Sequence, residues 1–350
     1  MKKLLVTGGA GFLGYHICNQ LSKQFKEVIV VDIAEAEKKE YPKNTKFYVL
    51  DITNKQKLDE VIKKEKPELV VHAAAALPLY TKKRIYQVNV SGTKNVLQSS
   101  LENKVERVVH ISSTAVYGVP KKHPIYETDK LVGVGPYGET KIIAEHLCNQ
   151  YRKKGLLVPI IRPKTFIGTG RLGVFQILYD WVEFGARIPI VGNGKNHYQL
   201  LDVEDLVNAI YLALVSNAKL SDDAFNVGAG EFHTVYEDVS ELCNYAKSGA
   251  KVIRTPAKAI KLALMIFEAM KLSPLYKWVY GTADTDSFVS TEKIQNQLKW
   301  HPKYSNSQAL IKSYQWYLDN KDNLGGTGVT HRVAWSQGIL GIFKKMSRIF

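Results

Sequence analysis

The chain has 350 residues, of which 45% are hydrophobic and 23% are charged. That length allows one large domain or two modest ones with a buried core, and that composition excludes a disordered protein. The three cysteines, Cys18, Cys148 and Cys243, are far apart and show no CxxC spacing, which argues against a disulfide framework or a zinc site. We therefore expect a reducing compartment, the cytoplasm, and no bound metal.

The formal net charge of +15 is unevenly distributed. Residues 251–280 contain six basic residues and one acidic residue, and residues 323–350 contain four basic residues and no acidic one. No nucleic-acid-binding motif accompanies these charges, so nucleic acid is not an expected partner. The first apolar run ends at Thr7, too soon for a signal peptide, and no run reaches the length of a membrane span. The basic segments therefore suggest contact with a membrane surface.

In chain order, the first feature is the stretch MKKLLVTGGAGFLG at residues 1–14. An apolar run is followed by a glycine turn and then by an amphipathic segment that ends near Phe25. Strand, glycine turn and helix are the context in which a dinucleotide fingerprint is meaningful. The turn would bring the backbone close to a pyrophosphate, and the helix N terminus would offer free amides to it. The predicted phosphate-binding residues are Gly8, Gly11, Phe12, Leu13 and Gly14.

The predicted second strand, residues 28–31, ends at Asp32, about twenty residues after the glycine turn. A carboxylate at this position would accept hydrogen bonds from the adenosine ribose, and it would repel the extra phosphate of NADP. No basic residue follows until Lys38. The predicted cofactor is therefore NAD.

Short apolar strands alternate with amphipathic helices up to about residue 165, which predicts an α/β fold with a Rossmann-type, doubly wound parallel sheet. Ala73, Ala74 and Ala75 follow one buried strand; they suit a strand end that a cofactor passes closely, although a helix–strand packing seam explains them equally well. We predict an NAD-binding domain over 1–165, with a returning segment near 198–227. A smaller substrate-binding domain would comprise 166–197 and 228–321, followed by a linker at 322–330 and an amphipathic tail at 331–350.

The predicted helix 137–152 begins with Tyr137, and Lys141 follows four residues later on the same face. An ammonium group beside the phenol, together with the positive nicotinamide ring, favours a phenolate that acts as a general base, and a phenol that acts as a general acid in reverse. The preceding strand, residues 107–111, ends at Ser112-Ser113-Thr114. A hydroxyl there can hold a substrate oxygen in place.

Together these features resemble the extended short-chain dehydrogenase/reductase superfamily over residues 1 to about 320. The residues that carry the resemblance are Thr7-Gly8-x-x-Gly11-x-x-Gly14, Asp32, Asp51-Ile52, His72-x-Ala74-Ala75, Asn89-Val90-x-Gly92-Thr93, Ser112-Ser113, Tyr137-x-x-x-Lys141 and Arg162-Pro163.

The resemblance implies that Ser113 is the catalytic hydroxyl, Tyr137 the acid/base and Lys141 the residue that holds the nicotinamide ribose. It also implies adenine contacts at Asp51 and Ile52 and a loop over the nicotinamide at Pro163. Asn89 is expected to be structural. Two-helix dimers are common in this superfamily, which leaves a homodimer open.

The substrate class has to be inferred from the positions at which this chain departs from other members of the superfamily. Nucleotide-sugar members usually carry Asn three residues after the equivalent of Arg162, where this chain has Thr165. They also carry two arginines for the diphosphate, where this chain has Tyr198 and Tyr280. Since binding two phosphates without an arginine fork is poor chemistry, we expect weak binding of UDP-sugars and dTDP-sugars. Lys164, Lys195 or Arg171 could substitute as point charges.

Two amphipathic segments point to lipid. Residues 257–272 have a wide apolar face, and with Ser273-Pro274-Leu275 and Phe288 they resemble the 3β-hydroxysteroid dehydrogenase and sterol-4-carboxylate dehydrogenase branch. The tail, residues 333–350, places its apolar residues on one arc opposite Lys344, Lys345 and Arg348, the pattern of an interfacial anchor. A core or dimer-interface helix for the first segment, and docking on protein for the tail, are the alternatives.

The sequence thus predicts an NAD-dependent oxidoreductase that acts on a secondary alcohol or ketone of a sterol-, isoprenoid- or lipid-like substrate, on the inner face of the membrane. The alternative is a nucleotide-sugar epimerase or dehydratase with tightly bound NAD. A non-catalytic NAD-binding subunit is disfavoured, because Ser113, Tyr137 and Lys141 are all present.

Overall fold

A computed structural model describes residues 1–270, 272, 280–324, 332 and 337–347. The chain divides into two compact units. The first unit comprises Met1–Lys164, Val203–Gly228 and Val289–His301, and the second comprises Thr165–Asp202, Ala229–Phe288 and Pro302–Phe350.

Numbered along the chain, the described strands are β1 Lys3–Thr7, β2 Glu27–Asp32, β3 Thr45–Val49, β4 Leu69–His72, β5 Arg107–Ile111, β6 Ile160–Pro163, β7 Thr165–Ile167, β8 Arg187–Val191, β9 Leu200–Asp202, β10 Ala224–Val227 and β11 Lys251–Thr255. The described α-helices are α1 Phe12–Leu21, α2 Lys55–Glu65, α3 Lys82–Tyr86, α4 Thr93–Glu102, α5 Gly135–Arg152, α6 Val174–Glu183, α7 Val203–Val215, α8 Ala218–Ser221, α9 Val235–Ala246, α10 Ala257–Ala269, α11 Glu292–Leu298, α12 Asn306–Asn320 and α13 Ile339–Met346.

The first unit is built on a seven-stranded parallel sheet in the order β10-β6-β5-β4-β1-β2-β3. Apolar residues such as Leu5, Ile29 and Val70 are fully buried, as expected for parallel strands covered by helices on both faces. The order reverses direction at β1, so the carboxyl ends of β1 and β4 border the crevice where such sheets bind ligands. The predicted Rossmann-type fold is therefore confirmed.

The second unit contains two small parallel sheets, β11 with β8 and β7 with β9. Its core forms around helices α6, α9 and α12, with Tyr179, Val182 and Leu242 fully buried. These short strands were not predicted, since pairs of three to five residues leave little periodicity in the sequence.

Several boundaries differ from the sequence-based predictions. The segment 289–301, predicted to belong to the substrate domain, lies in the first unit: Lys293 Nζ is 2.6 Å from Asp223 Oδ2, and the buried Trp300 indole donates to the Asp205 carbonyl. A π-helical turn, Gln87–Gly92, separates α3 from α4. Such long-range contacts and bulges have no local sequence signature.

The predicted linker and tail lie partly outside the described residues, as do Ser273-Pro274-Leu275. Within the tail, the structure describes 332 and 337–347, and the helix there is α13, shorter than the predicted 333–350. Among the described residues, no helix is both long and apolar enough to cross a bilayer.

Lys164 is a buried cation at the end of β6, where its backbone N–H donates to the Val227 carbonyl at 2.8 Å. Burial lowers the pKa of Lys164 to about 7. The unfolded chain keeps the usual higher pKa. Between the two values the unfolded state therefore binds more protons, and stability rises with pH.

We expect Lys164→Met to raise the melting temperature most near pH 7 and less at pH 9. The wild-type free energy of unfolding should gain up to about 1.4 kcal/mol per pH unit relative to the variant. Thermal unfolding of both proteins at pH 7, 8 and 9 measures this difference. A difference that stays constant over the range would contradict the lowered pKa.

Candidate active site

The glycine turn after β1 is held by contacts that leave no room for side chains. Gly8 has a φ of +72°, and a Cβ on it would lie 2.7 Å from the Ala74 backbone nitrogen. A Cβ on Gly14 would lie 2.2 Å from the Gly8 carbonyl oxygen. Both positions therefore require glycine, and the turn lies tightly against the residues that follow β4.

This turn fits a pyrophosphate. Gly11 directly precedes α1 and, having no side chain, cannot cap it, so the backbone amides of residues 12–14 begin the helix without a side-chain cap. An anion is stabilised at such an end by free N–H groups and by the helix dipole. The predicted residues Gly8, Gly11, Phe12, Leu13 and Gly14 thus lie in one turn of chain.

Asp32 lies at the carboxyl end of β2 and braces the glycine turn. One carboxylate oxygen accepts from the Ala10 N–H and the other from the Ala34 N–H, both at 3.0 Å. Each oxygen retains a lone pair for a ribose hydroxyl. Tyr41, which the sequence analysis did not select, donates from its hydroxyl to the Gly9 carbonyl at 3.0 Å.

The Asp51 carboxylate is fixed by hydrogen bonds from neighbouring residues. It accepts from the Thr53 N–H at 2.9 Å and from Arg84 Nη2 at 2.7 Å. Partial burial raises the pKa of the Asp51 carboxyl, but these hydrogen bonds outweigh burial and hold it below its usual value. The Ile52 side chain is buried against Gly92, so an adenine would contact the backbone of Ile52 and not its side chain. Arg84 was not predicted, because its partner is far away in sequence.

A buried chain of hydrogen bonds joins the ends of β1 and β4. The Thr93 hydroxyl donates to the Asn89 carbonyl at 2.7 Å, so it accepts from His72 Nε2 at 2.9 Å. His72 Nδ1 then accepts from the Thr7 hydroxyl at 2.7 Å. Burial, aided by the Lys141 charge, lowers the pKa of His72 to about 3. This histidine is therefore neutral at physiological pH.

Asn89 connects the π-helical turn to α5. Its side chain bonds both the N–H and the carbonyl of Ala76, at 2.8 and 3.2 Å, and it donates to the Thr140 hydroxyl at 3.2 Å. The Thr140 hydroxyl donates in turn to the Tyr137 carbonyl at 3.0 Å. These bonds fit the structural role expected for Asn89, and they fix the first turn of α5. Ala73, Ala74 and Ala75 directly precede Ala76, whose backbone is held by the Asn89 side chain.

Tyr137 and Lys141 lie one turn apart on α5, with Lys141 Nζ 5.8 Å from the centre of the Tyr137 ring. Tyr137 is half-buried, whereas Lys141 is buried and donates to the Ile111 carbonyl at 2.8 Å. Burial lowers the pKa of Lys141 to about 8, with the nearby Glu145 opposing it. The ammonium therefore remains mostly charged at pH 7 beside the phenol ring.

The two serines after β5 have different surroundings. Ser112 is buried and donates to Glu145 Oε1 at 2.5 Å. Ser113 is half-buried, and its Oγ accepts from the Ala115 N–H at 3.1 Å. That bond uses an oxygen lone pair, so the Ser113 hydroxyl proton remains available to a substrate oxygen.

Pro163 is the last residue of β6, and Arg162 before it lies in a buried cluster of polar side chains. Arg162 pairs with Glu145 through two nitrogens, and it donates to the Tyr117 hydroxyl at 2.7 Å. Tyr117 donates to Asn226 on β10. Sequence analysis singled out Arg162 only as part of a motif and missed Glu145, whose role depends on contacts between distant segments.

In the second unit, the residues that replace the expected phosphate ligands bond each other or their neighbours. The Thr165 and Tyr198 hydroxyls are 2.9 Å apart, and Tyr280 donates to Glu268 Oε2 at 2.6 Å. Arg171 is buried in the loop that follows β7, with its guanidinium 5.6 Å from the centre of the Phe166 ring.

Comparison with known proteins shows the family of this chain. Residues 4–228 match the model of the NAD dependent epimerase/dehydratase family. The protein y4nG of Sinorhizobium fredii is 34% identical over 100% of this chain and 87% of its own length. The UDP-glucose 4-epimerase of Halalkalibacterium halodurans is 30% identical over 91% of this chain and 96% of its own.

Solved structures agree. The epimerase Mth375 of Methanothermobacter thermautotrophicus superimposes with a TM-score of 0.77 at 26% identity, covering 92% of this chain and 94% of its own. The UDP-glucose 4-epimerase of Thermotoga maritima superimposes with a TM-score of 0.75 at 24% identity, covering 91% and 99%, which bears on the fold alone.

These matches confirm three predictions: the extended superfamily, an enzyme, and NAD as the cofactor. They do not support the sterol branch, because the matched relatives named for an activity are nucleotide-sugar enzymes. The alternative substrate class is therefore favoured over the hydrophobic one. Since the family model matches more than half of the sequence, this chain belongs to the NAD-dependent epimerase/dehydratase family.

Proposed function

We propose that this protein is an NAD-dependent epimerase that inverts a secondary hydroxyl of a nucleoside diphosphate sugar. The observation that carries the proposal is the Tyr137–Lys141 pair on α5, whose ammonium bonds the Ile111 carbonyl at the end of β5, two residues before Ser113. This pair occurs in a chain that aligns with UDP-glucose 4-epimerases over about nine-tenths of its length. The same arrangement serves a dehydrogenase, and the relatives favour the epimerase.

In this proposal Tyr137 removes the hydroxyl proton and later returns it. The charged Lys141 favours the phenolate, and its bond to the Ile111 carbonyl keeps the ammonium beside the ring. Ser113 donates its hydroxyl proton to the substrate oxygen and holds that oxygen near the phenol. Bound NAD supplies a reversible hydride acceptor.

The cofactor is held by residues of the first unit. Amides at Phe12, Leu13 and Gly14 bind the pyrophosphate, with Gly8 and Gly11 making room for it. Asp32 accepts from the adenosine ribose, and Asp51 and Ile52 contact the adenine. Lys141 binds the other ribose, while Ala73, Ala74, Ala75 and Pro163 border the path of the cofactor.

A second function, oxidation of a hydrophobic secondary alcohol, is favoured by one observation. Tyr198 and Tyr280 stand where two arginines would bind a diphosphate, and both hydroxyls make hydrogen bonds within the second unit. An epimerase of this kind would bind the diphosphate through other cations, and Arg171 and Lys195 are cationic residues of the same unit.

The first test is interconversion. Purified protein with NAD should convert UDP-glucose to UDP-galactose without accumulating free NADH, as measured by chromatography of the sugars and absorbance at 340 nm. Tyr137→Phe should lower turnover by about 10³-fold or more while NAD still binds, because the variant lacks only the group that transfers the proton. Stoichiometric NADH release with a hydrophobic alcohol, and no sugar conversion, would replace the epimerase with the dehydrogenase.

The adjacent serines form a matched pair. Ser113→Ala should lower turnover by about 10²-fold. It should reduce the free energy of unfolding by only about 1 kcal/mol, because the Ala115 N–H loses the hydrogen bond to the serine oxygen. Ser112→Ala should instead reduce the free energy of unfolding by about 1–3 kcal/mol, because the buried Glu145 Oε1 loses one of its two donors and keeps only Arg162 Nε. Steady-state kinetics and denaturant unfolding measure both effects. Equal losses of turnover in the two variants would contradict the assignment.

A further inference from the structure

The two amphipathic segments form one surface of the second unit. Helix α10 and helix α13 meet where the Phe267 and Phe343 rings lie 6.1 Å apart, and the Ile339 N–H donates to the Leu272 carbonyl at 3.0 Å. The segment before α13 is anchored as well, since Gln337 bonds the side chains of Asp180 and Trp181 on α6. The described part of the tail is therefore docked on the second unit.

Docking leaves large apolar side chains exposed on both helices. They recur at helical spacing, so each helix presents them on one face, and individual residues are between 47% and 61% exposed. We call this surface the amphipathic face, and it comprises Leu262, Met265 and Ile266 from α10, Met270 directly after that helix, and Ile342 and Met346 from α13. The opposite side of α10 is buried at Leu264.

The charges around this face are positive. Lys258 on α10 and Lys345 on α13 are exposed, and the segments that contain these helices hold the basic excess of the chain. Glu268 is the acidic residue of α10, and it accepts a hydrogen bond from Tyr280. α13 has no acidic residue. An apolar face bordered by lysines matches a bilayer interface with anionic headgroups.

We infer that the amphipathic face binds the surface of an anionic membrane, with α10 and α13 lying in the interface plane. A second protein copy would bury the same side chains, but it would bring the same positive charge into contact with itself. Anionic lipid neutralises that charge. This inference is independent of the proposed substrate, because it concerns a surface that takes no part in the proposed chemistry.

The test is flotation of the full-length protein with vesicles of phosphatidylcholine alone or with 30% phosphatidylglycerol. Binding should require phosphatidylglycerol and decrease as salt is raised. The double variant Ile266→Glu/Ile342→Glu should lose binding at least tenfold. Leu220→Glu, a comparably exposed leucine on α8 of the first unit, is the matched control and should bind like the wild type.

A second variant tests the charge separately. Lys258→Gln/Lys345→Gln should weaken binding to phosphatidylglycerol vesicles by about fivefold for each lysine. Light scattering of all proteins reports their oligomeric state. The inference is overturned if the wild type does not bind these vesicles, if the double glutamate variant still binds, or if that variant only converts a dimer to a monomer.

Discussion

The close contact between the Gly8 backbone and Ala74 is the constraint on which the site in the first unit depends. It places the turn after β1 against the chain that leaves β4, so the phosphate-binding amides and the small residues at 73–75 border the same crevice. The Thr7–His72–Thr93 hydrogen bonds lie directly behind this contact. A side chain at Gly8 would separate these segments, and one at Gly14 would collide with the backbone of the turn itself, which explains why both positions are glycine.

The electrostatics of the site follow from what is buried there. Burial keeps the pKa of His72 and of His110 far below the usual value, so both rings beside the strand ends are neutral. Lys141 is also buried, but it keeps a pKa of about 8 and a carbonyl partner. Its ammonium is therefore a fixed positive charge beside Tyr137, in surroundings that screen it little. Such a charge favours the phenolate form of Tyr137.

Much of the first unit could be predicted from the sequence, because its signals are local: a strand, a glycine turn, and a tyrosine and a lysine four residues apart. Arg84, Glu145 and Tyr41 could not be predicted, since each acts through a partner from a distant segment. The placement of 289–301 failed for the same reason. The hydrophobic substrate was inferred by giving two tyrosines more weight than the chain as a whole, and relatives such as the UDP-glucose 4-epimerases support the alternative better.

The central claim is that Tyr137 moves a proton at oxygen only, while the carbon-bound hydrogen of the sugar is not exchanged with solvent. Conversion of UDP-glucose in deuterium oxide, followed by mass spectrometry of the product, tests this claim directly. The account predicts UDP-galactose with no deuterium bound to carbon. Deuterium on carbon would show exchange with solvent during inversion, and it would contradict the assigned chemistry.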